Sequence, residues 1–408
     1  MKILKLLFCV SMILTFFSCV NTSGVVETDD VDNFVKGVDI SSIISLEDSG
    51  VEFSDSYGNK KDIFSILKNN GVNYIRVRIW NNPFNTDGNG YGGGNNDLSQ
   101  AIKIGTRAAK YNMPLLVDFH YSDFWADPSS QKAPKAWDGM SVSDKANALY
   151  TFTYTSLTQL ITAGVNVGMV QIGNETMGAM CGETVWSNVI KLMKEGCRAV
   201  RQVSGEQSKK DSSFNPIKIA LHFTSPDSVG SYLWYAGSLK NANVDYDIFA
   251  SSWYPFWHGT LENLTSVFRD VIALSGKKVM ISEFSYPYTL LDGDGYSNNI
   301  SSFSEVDLPY EVSAKGQSEC IKDVISAVAS LGDSGIGVFY WEPAWVPVPG
   351  DSYAERQILW NSYGSGWASE YAVDYAESAK KWWGGSGWDN QALFDFDGKM
   401  LDSLSAFK

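Results

Sequence analysis

Histidine, cysteine and positive charge are all scarce in this chain, and each scarcity argues against a class of function. Three histidines occur in 408 residues, at positions 120, 222 and 258, and none sits in a paired spacing such as His-Glu-x-x-His, which disfavours metal-assisted hydrolysis. Of five cysteines, Cys9 and Cys19 fall in an N-terminal leader, and the remaining Cys181, Cys197 and Cys320 give no disulfide framework and at most one bridge. Lys and Arg number 32 against 46 Asp and Glu, a net charge of -14, which lacks the clustered cations that nucleic-acid binding needs. No Gly-x-Ser-x-Gly elbow surrounds a serine, and His120-Tyr121-Ser122-Asp123 is too compact to form a serine triad. No Pro-rich linker or internal repeat divides the chain.

What is present is 44% hydrophobic and 13% aromatic content, enough to bury a large core. Lys2 and Lys5 precede an apolar run from Leu6 to Phe17, followed by Ser18 and Cys19, which reads as a secretory signal too short to span a membrane. A small residue before a cysteine at that point resembles a bacterial lipoprotein signal, with Cys19 the acylated first residue of the mature chain. The predicted organisation is a signal over 1–19, an acidic tether over 20–33 and one catalytic domain over 34–408. The expected location is the outer membrane or cell surface, with a lipid anchor as the only membrane contact.

From Phe34 onward, strand-like and helix-like patterns alternate. Strands are predicted over Phe34–Ile40, Tyr74–Trp80, Pro114–His120, Met169–Asn174, Ile217–His222, Ile248–Trp253, Lys278–Glu283 and Gly337–Trp341. Helices such as Asp62–Asn70, Ser143–Ala163, Ser187–Val203 and Lys315–Leu331 lie between them, each stopped at or near a glycine. Eight such units fit an α/β fold of the (β/α)8 TIM-barrel type with long βα loops. The glycine cluster within Asp87–Asn96 does not lead a tight strand-to-helix turn, so it does not read as a phosphate cradle. The Trp-rich excursion Trp345–Trp388 is long enough to be functional.

In a barrel, the C-terminal strand ends build the active face. They carry Asp39, Trp80, His120, Glu175, His222, Trp253 with Tyr254, Glu283, and Trp341 with Glu342. Glu175 and Glu283, three strands apart, face one cleft, as glycoside hydrolysis requires. Burial beside a negative partner would keep Glu175 protonated. Arg76 or Arg78 and a hydroxyl such as that of Tyr254 would keep Glu283 ionised. Trp80, Trp125, Trp253, Tyr254, Trp257, Trp341 and Trp345 fall in or just after strand ends, where indole faces stack on sugar rings.

These segments resemble a known family. Gly37-Val38-Asp39-Ile40-Ser41-Ser42, Arg76-Val77-Arg78-Ile79-Trp80-Asn81-Asn82-Pro83, Asp118-Phe119-His120-Tyr121-Ser122-Asp123 and Tyr254-Pro255-Phe256-Trp257-His258-Gly259 are similar to arabinogalactan endo-β-1,4-galactanases. So are Tyr340-Trp341-Glu342-Pro343-Ala344-Trp345 and Trp388-Asp389-Asn390-Gln391-Ala392-Leu393-Phe394. The resemblance implies a retaining enzyme acting within β-1,4-galactan side chains of pectin, with Glu175 as acid/base, Glu283 as nucleophile and their carboxyl groups about 5 to 5.5 Å apart. The expected substrate-binding set is Asn174, Arg78, Trp80, Asp39, His120, Ser122, Trp125, Tyr254, Trp257, His258, Trp341 and Trp345. No catalytic cofactor is expected. The resemblance also implies a structural calcium after the seventh strand, held by Asp292, Asp294, the Tyr296 carbonyl and Asn298, alternate oxygen donors suited to a hard cation, with the remaining ligands, unassigned, from the long loop after the eighth strand. Partners would be galactan and galacto-oligosaccharides, the enzyme a monomer. Two alternatives remain open: a surface glycan-binding lipoprotein with weak catalysis, and a related barrel hydrolase acting on another β-linked glycan.

Overall fold

The computed structural model describes residues 34–227 and 230–408; the leader, Cys19 and the tether fall outside the described residues. Eight parallel strands close into a barrel in chain order: β1 (Val35–Asp39), β2 (Tyr74–Ile79), β3 (Leu115–Phe119), β4 (Val167–Ile172), β5 (Lys218–Phe223), β6 (Ile248–Ser252), β7 (Lys278–Phe284) and β8 (Gly335–Trp341). Each predicted strand is present to within two residues at either end.

Period-two alternation sorts most of the barrel's residues into an outward and an inward face, with an interruption on β7. On β2, Ile75, Val77 and Ile79 turn out into the main core with the helices, while Arg76 and Arg78 turn in. Inside, Leu116, Met169, Ala220, Ile248, Ala250, Met280 and Phe339 form a separate apolar floor. Each large side chain buried there contributes about 1.5–3 kcal/mol. Phe339 fills the space that Gly37 leaves, since a Cβ at 37 would lie 2.2 Å from its ring. Above the floor the interior turns polar, and that layer carries the site.

The helix Trp186–Lys210 runs seven residues beyond its predicted end at Val203, straight through Ser204-Gly205. Glycine there costs about 1 kcal/mol. Burial of Val189, Leu192, Met193, Val200 and Val203 along one face of the helix outweighs it. The glycine-rich loop after β2 is a packing device. A side chain at Gly93, whose φ is +57°, would strike Trp80 and Trp125, and the Gly93 carbonyl accepts from Arg78 at 3.0 Å. Cys181, Cys197 and Cys320 are buried and unpaired with one another. Among the described residues no helix is long and apolar enough to cross a membrane.

Candidate active site

The turn after β4 presents the first carboxylate. Gly173 takes φ +83°, and Glu175 itself takes φ +45°, a left-handed conformation that costs a non-glycine residue roughly 1–2 kcal/mol. Two contacts hold it there: its N–H donates to His222 Nδ1 at 3.3 Å, and its Oε1 accepts from Ser252 Oγ at 2.6 Å.

The second carboxylate reaches the cleft through a β-bulge. Met280 faces the barrel floor while Ile281 and Phe284 both face outward, and the pairing of β6 with β7 skips from Ser251–Ile281 to Ser252–Glu283. Ser282 is the extra residue, and its insertion turns Glu283 inward. There Oε1 lies 2.8 Å from Arg76 and Oε2 accepts from the Tyr254 hydroxyl at 3.1 Å. Arg76 also bridges Asp39 and Asp118 at 2.8 Å each and donates to Asn174 Oδ1 at 3.0 Å. Burial works against the Arg76 charge, but its three carboxylates outweigh that and keep it protonated.

Both glutamates border one cavity of about 380 Å³. Burial, then the charge of Glu283, pushes Glu175 up to about 8. Burial also raises Glu283, while Arg76 pulls it down. Among the described residues no cation lies within 4 Å of Glu175, so Glu283 ionises first and Glu175 keeps the proton. His222 is held far below its ordinary value by burial and by Arg76, and His258 is lowered to about 4 by burial, so both are neutral.

Aromatic rings form the walls. Trp125 stacks on Trp367 with centroids 4.6 Å apart, Trp341 meets Trp388 edge-on at 4.8 Å, and the Arg78 guanidinium lies 4.4 Å over Trp125. Trp257 is half exposed at the mouth. Facing carboxylates of unequal acidity in an indole-lined cleft are the equipment of a glycosidase.

Comparison with known proteins gives the same answer, for the sequence pattern of glycosyl hydrolase family 53 matches residues 35–407. The chain belongs to that family. It is 53% identical over 378 residues to the endo-beta-1,4-galactanase of Bacillus subtilis strain 168, covering 92% of this chain and 86% of the relative. It is 30% identical to the arabinogalactan endo-beta-1,4-galactanase of Cellvibrio japonicus, covering 94% of this chain and 93% of the relative. Among solved structures, the Ignisphaera aggregans GH53 catalytic domain superposes with a TM-score of 0.80 at 34% identity, covering 92% of this chain and 96% of that one.

Within this family 53 barrel, ten of the fourteen catalytic and substrate-binding positions expected from sequence line the cavity: Glu175, Glu283, Asn174, Arg78, His120, Trp125, Tyr254, Trp257, His258 and Trp341. Four do not. Asp39 is sealed beneath Arg76 and Arg78. Trp80 is wholly buried against Phe124 and Tyr91, its indole N–H on His120 Nδ1. Ser122 bonds the Tyr375 hydroxyl at 3.0 Å, and Trp345 lies behind Trp367 and Trp125 with its N–H on the Ser365 carbonyl. Strand-end position was the right signal for nearness and the wrong one for exposure, because β2 side chains cover Asp39 and the long loops fold over the other three. Asn174 donates to the Ala126 carbonyl, leaving one amide hydrogen for a ligand.

Sequence reasoning missed Trp367 and Asn299 on the wall and Ser252 behind Glu175. The Trp-rich excursion after β8 was a signal for the first; nothing local marked the other two.

A second acidic cluster joins the β7 and β8 loops. Carboxylate oxygens of Asp292, Asp294 and Asp389 lie within 4.8 Å of one another. Asn298 donates to Asp389 at 2.7 Å, and its own Oδ1 is buried without a hydrogen-bond partner. Burial, then mutual repulsion, raises Asp389 to about 8, and burial raises Asp294 to about 6. Asp389 comes from the far loop, where local spacing carried no hint. Tyr296 adds a half-buried ring and an N–H on Asp294.

Proposed function

We propose that this family 53 protein is a retaining endo-β-1,4-galactanase acting on galactan and type I arabinogalactan. The observation that carries the mechanism is the asymmetry of the two carboxyls on one cavity: Glu283 touches Arg76 and Tyr254, whereas among the described residues the Glu175 carboxyl is bonded by the Ser252 and Thr224 hydroxyls and by no cation. Glu283 attacks the anomeric carbon as Glu175 protonates the departing oxygen. Glu175 then takes a proton from water, which displaces Glu283. The substrate class is drawn from the relatives' activities and suits the indole walls. Incubation with β-1,4-galactan should yield mixed oligosaccharides with an early fall in viscosity, and NMR of the first product should show the β-anomer. Release from mannan or glucan but not galactan would overturn the substrate; an α-anomer would overturn the mechanism.

The pH dependence follows from the acid. With Glu175 raised to about 8, kcat/KM on galactan should hold through neutrality and fall above about 8 as the proton needed by the leaving group is lost. A profile falling already at pH 5 would contradict the assignment.

A structural calcium is proposed between the β7 and β8 loops, held by Asp292, Asp294, Asn298 and Asp389, with the Tyr296 carbonyl as a further donor. The partnerless Asn298 Oδ1 and three converging carboxylates support it, because a hard cation would satisfy all of them at once. The ion would pin the two loops that carry Asn299 and Trp388. Chelation should lower Tm by about 3 °C, from about 2.7 kcal/mol of binding at a hundredfold excess over Kd. Calcium should restore it and magnesium should not; an unchanged Tm would remove the site.

Anchoring through an acylated Cys19, at the outer membrane or cell surface, is proposed from the leader's pattern; a monomeric state is proposed separately from it.

A further inference from the structure

Behind Glu175 lies a buried chain of two groups that the mechanism above does not use. Ser252 Oγ is 2.6 Å from Glu175 Oε1 and 2.9 Å from His222 Nε2, and among the described residues the hydroxyl has no other partner. Both side chains are fully buried. The donors around His222 fix its tautomer. Gln171 Nε2 at 3.1 Å and the Glu175 N–H at 3.3 Å both point at Nδ1. The Gln171 amide cannot be reversed, because the same nitrogen donates to Asp118 at 2.6 Å. Asn174 Oδ1 also lies 2.9 Å from Nδ1, but Arg76 at 3.0 Å and Gln171 Nε2 at 3.2 Å supply donors for both its lone pairs. Nδ1 therefore carries the lone pair and Nε2 the hydrogen.

With Nε2–H donating into Ser252, the serine hydrogen has one acceptor left, Glu175 Oε1. We propose that Ser252, oriented by His222, is a positioning residue that keeps Glu175 Oε1 an acceptor and so places the acid proton on Oε2, the oxygen that serves the glycosidic bond. The proton leaves from Oε2 to the departing oxygen and returns to Oε2 from the attacking water; Ser252 and His222 neither gain nor lose one. Thr224, on the cavity wall, also bonds the carboxyl and favours its ionised form, and its Oγ1 lies 3.5 Å from His258 Nε2.

The charges around Glu175 come from several elements. Glu283 on β7 and Asp127 after β3 oppose its ionisation, and Tyr254 and Tyr232 stay neutral through burial. His222 and His258 are neutral, and Arg76 is engaged by its own carboxylates. Ser252 is thus the hydroxyl donor that favours the ionised form from the barrel side.

The inference rests on Glu175 being the acid/base. With Ser252→Ala, kcat/KM on galactan should fall about 10- to 100-fold. An aryl β-galactobioside, whose leaving group departs without a proton, should be hydrolysed nearly as by wild type. The basic limb of kcat/KM should move to higher pH, and Ser252→Thr should restore both readouts. His222→Phe, which removes the N–H that orients Ser252, should shift the same two readouts and serves if the alanine variant does not fold. A folded variant with a wild-type ratio of the two rates and an unmoved basic limb overturns the inference. Failure of azide to rescue Glu175→Ala on the aryl substrate instead overturns the acid/base reading itself, so the two failures are distinguishable.

Discussion

Replacing Glu283 by Gln should lower kcat on galactan by about 10⁴-fold or more, because the amide cannot form the glycosyl-enzyme bond and nothing else on the wall replaces it. The fold should survive. The new side chain keeps a carbonyl oxygen for Arg76, which approaches to 2.8 Å, and the Tyr254 hydroxyl, 3.1 Å from the other oxygen, turns to accept from the amide. One buried negative charge is lost from a cluster in which Asp39, Asp118 and Glu283 share one Arg76, so the thermal midpoint should stay level or rise. A second consequence separates this variant from simple damage. The charge of Glu283 helps to hold Glu175 at about 8, so Glu175 should ionise at lower pH in the variant. Titration of Glu175 by NMR in both proteins would check it. Activity within tenfold of wild type would dismiss Glu283 as nucleophile.

Arg76→Met should do the reverse, damaging stability and activity together. The guanidinium is 1% exposed and lies 2.8 Å from each of Asp39, Asp118 and Glu283. Its loss leaves three buried carboxylates without their shared cation, at a cost of about 3–5 kcal/mol and a fall of about 4–6 °C in Tm. Glu283 also loses what pulls its pKa down, so its proton is held to higher pH and the acid limb of the rate profile should move upward. Arg76→Lys should recover little, since an ammonium cannot reach three acceptors from the geometry a planar guanidinium occupies. Thermal unfolding and pH–rate profiles would test this, and a wild-type midpoint with a wild-type acid limb would refute it.

Arg76 was legible as a possible holder of Glu283, because two arginines at alternate positions on a strand must share its inward face. That Arg76 rather than Arg78 does so was not legible. Arg78 instead reaches Glu342 at 2.6 Å, and which partner each finds depends on how β1, β7 and β8 stand around β2. Asp39, Trp80, Ser122 and Trp345 were rightly placed at strand ends or in the loops beyond them, yet they act from behind the wall. Asp389 could not be joined to Asp292 and Asp294 from spacing, because nearly a hundred residues and a whole βα unit separate the two loops.

The sequence by itself determined the barrel, through eight alternating strands and the helices between them, and it set two glutamates at strand ends amid tryptophans. The tertiary structure decided how those glutamates differ. Strict alternation along β7, counted from the inward Met280, would turn Glu283 out among the helices; the bulge at Ser282, set by pairing with β6, turns it in. The same pairing brings Ser252 level with Glu283 and within 2.6 Å of Glu175. A residue's type and order are written in the chain, but its register against a neighbouring strand, and so its proton and its partner, exist only once the barrel has closed.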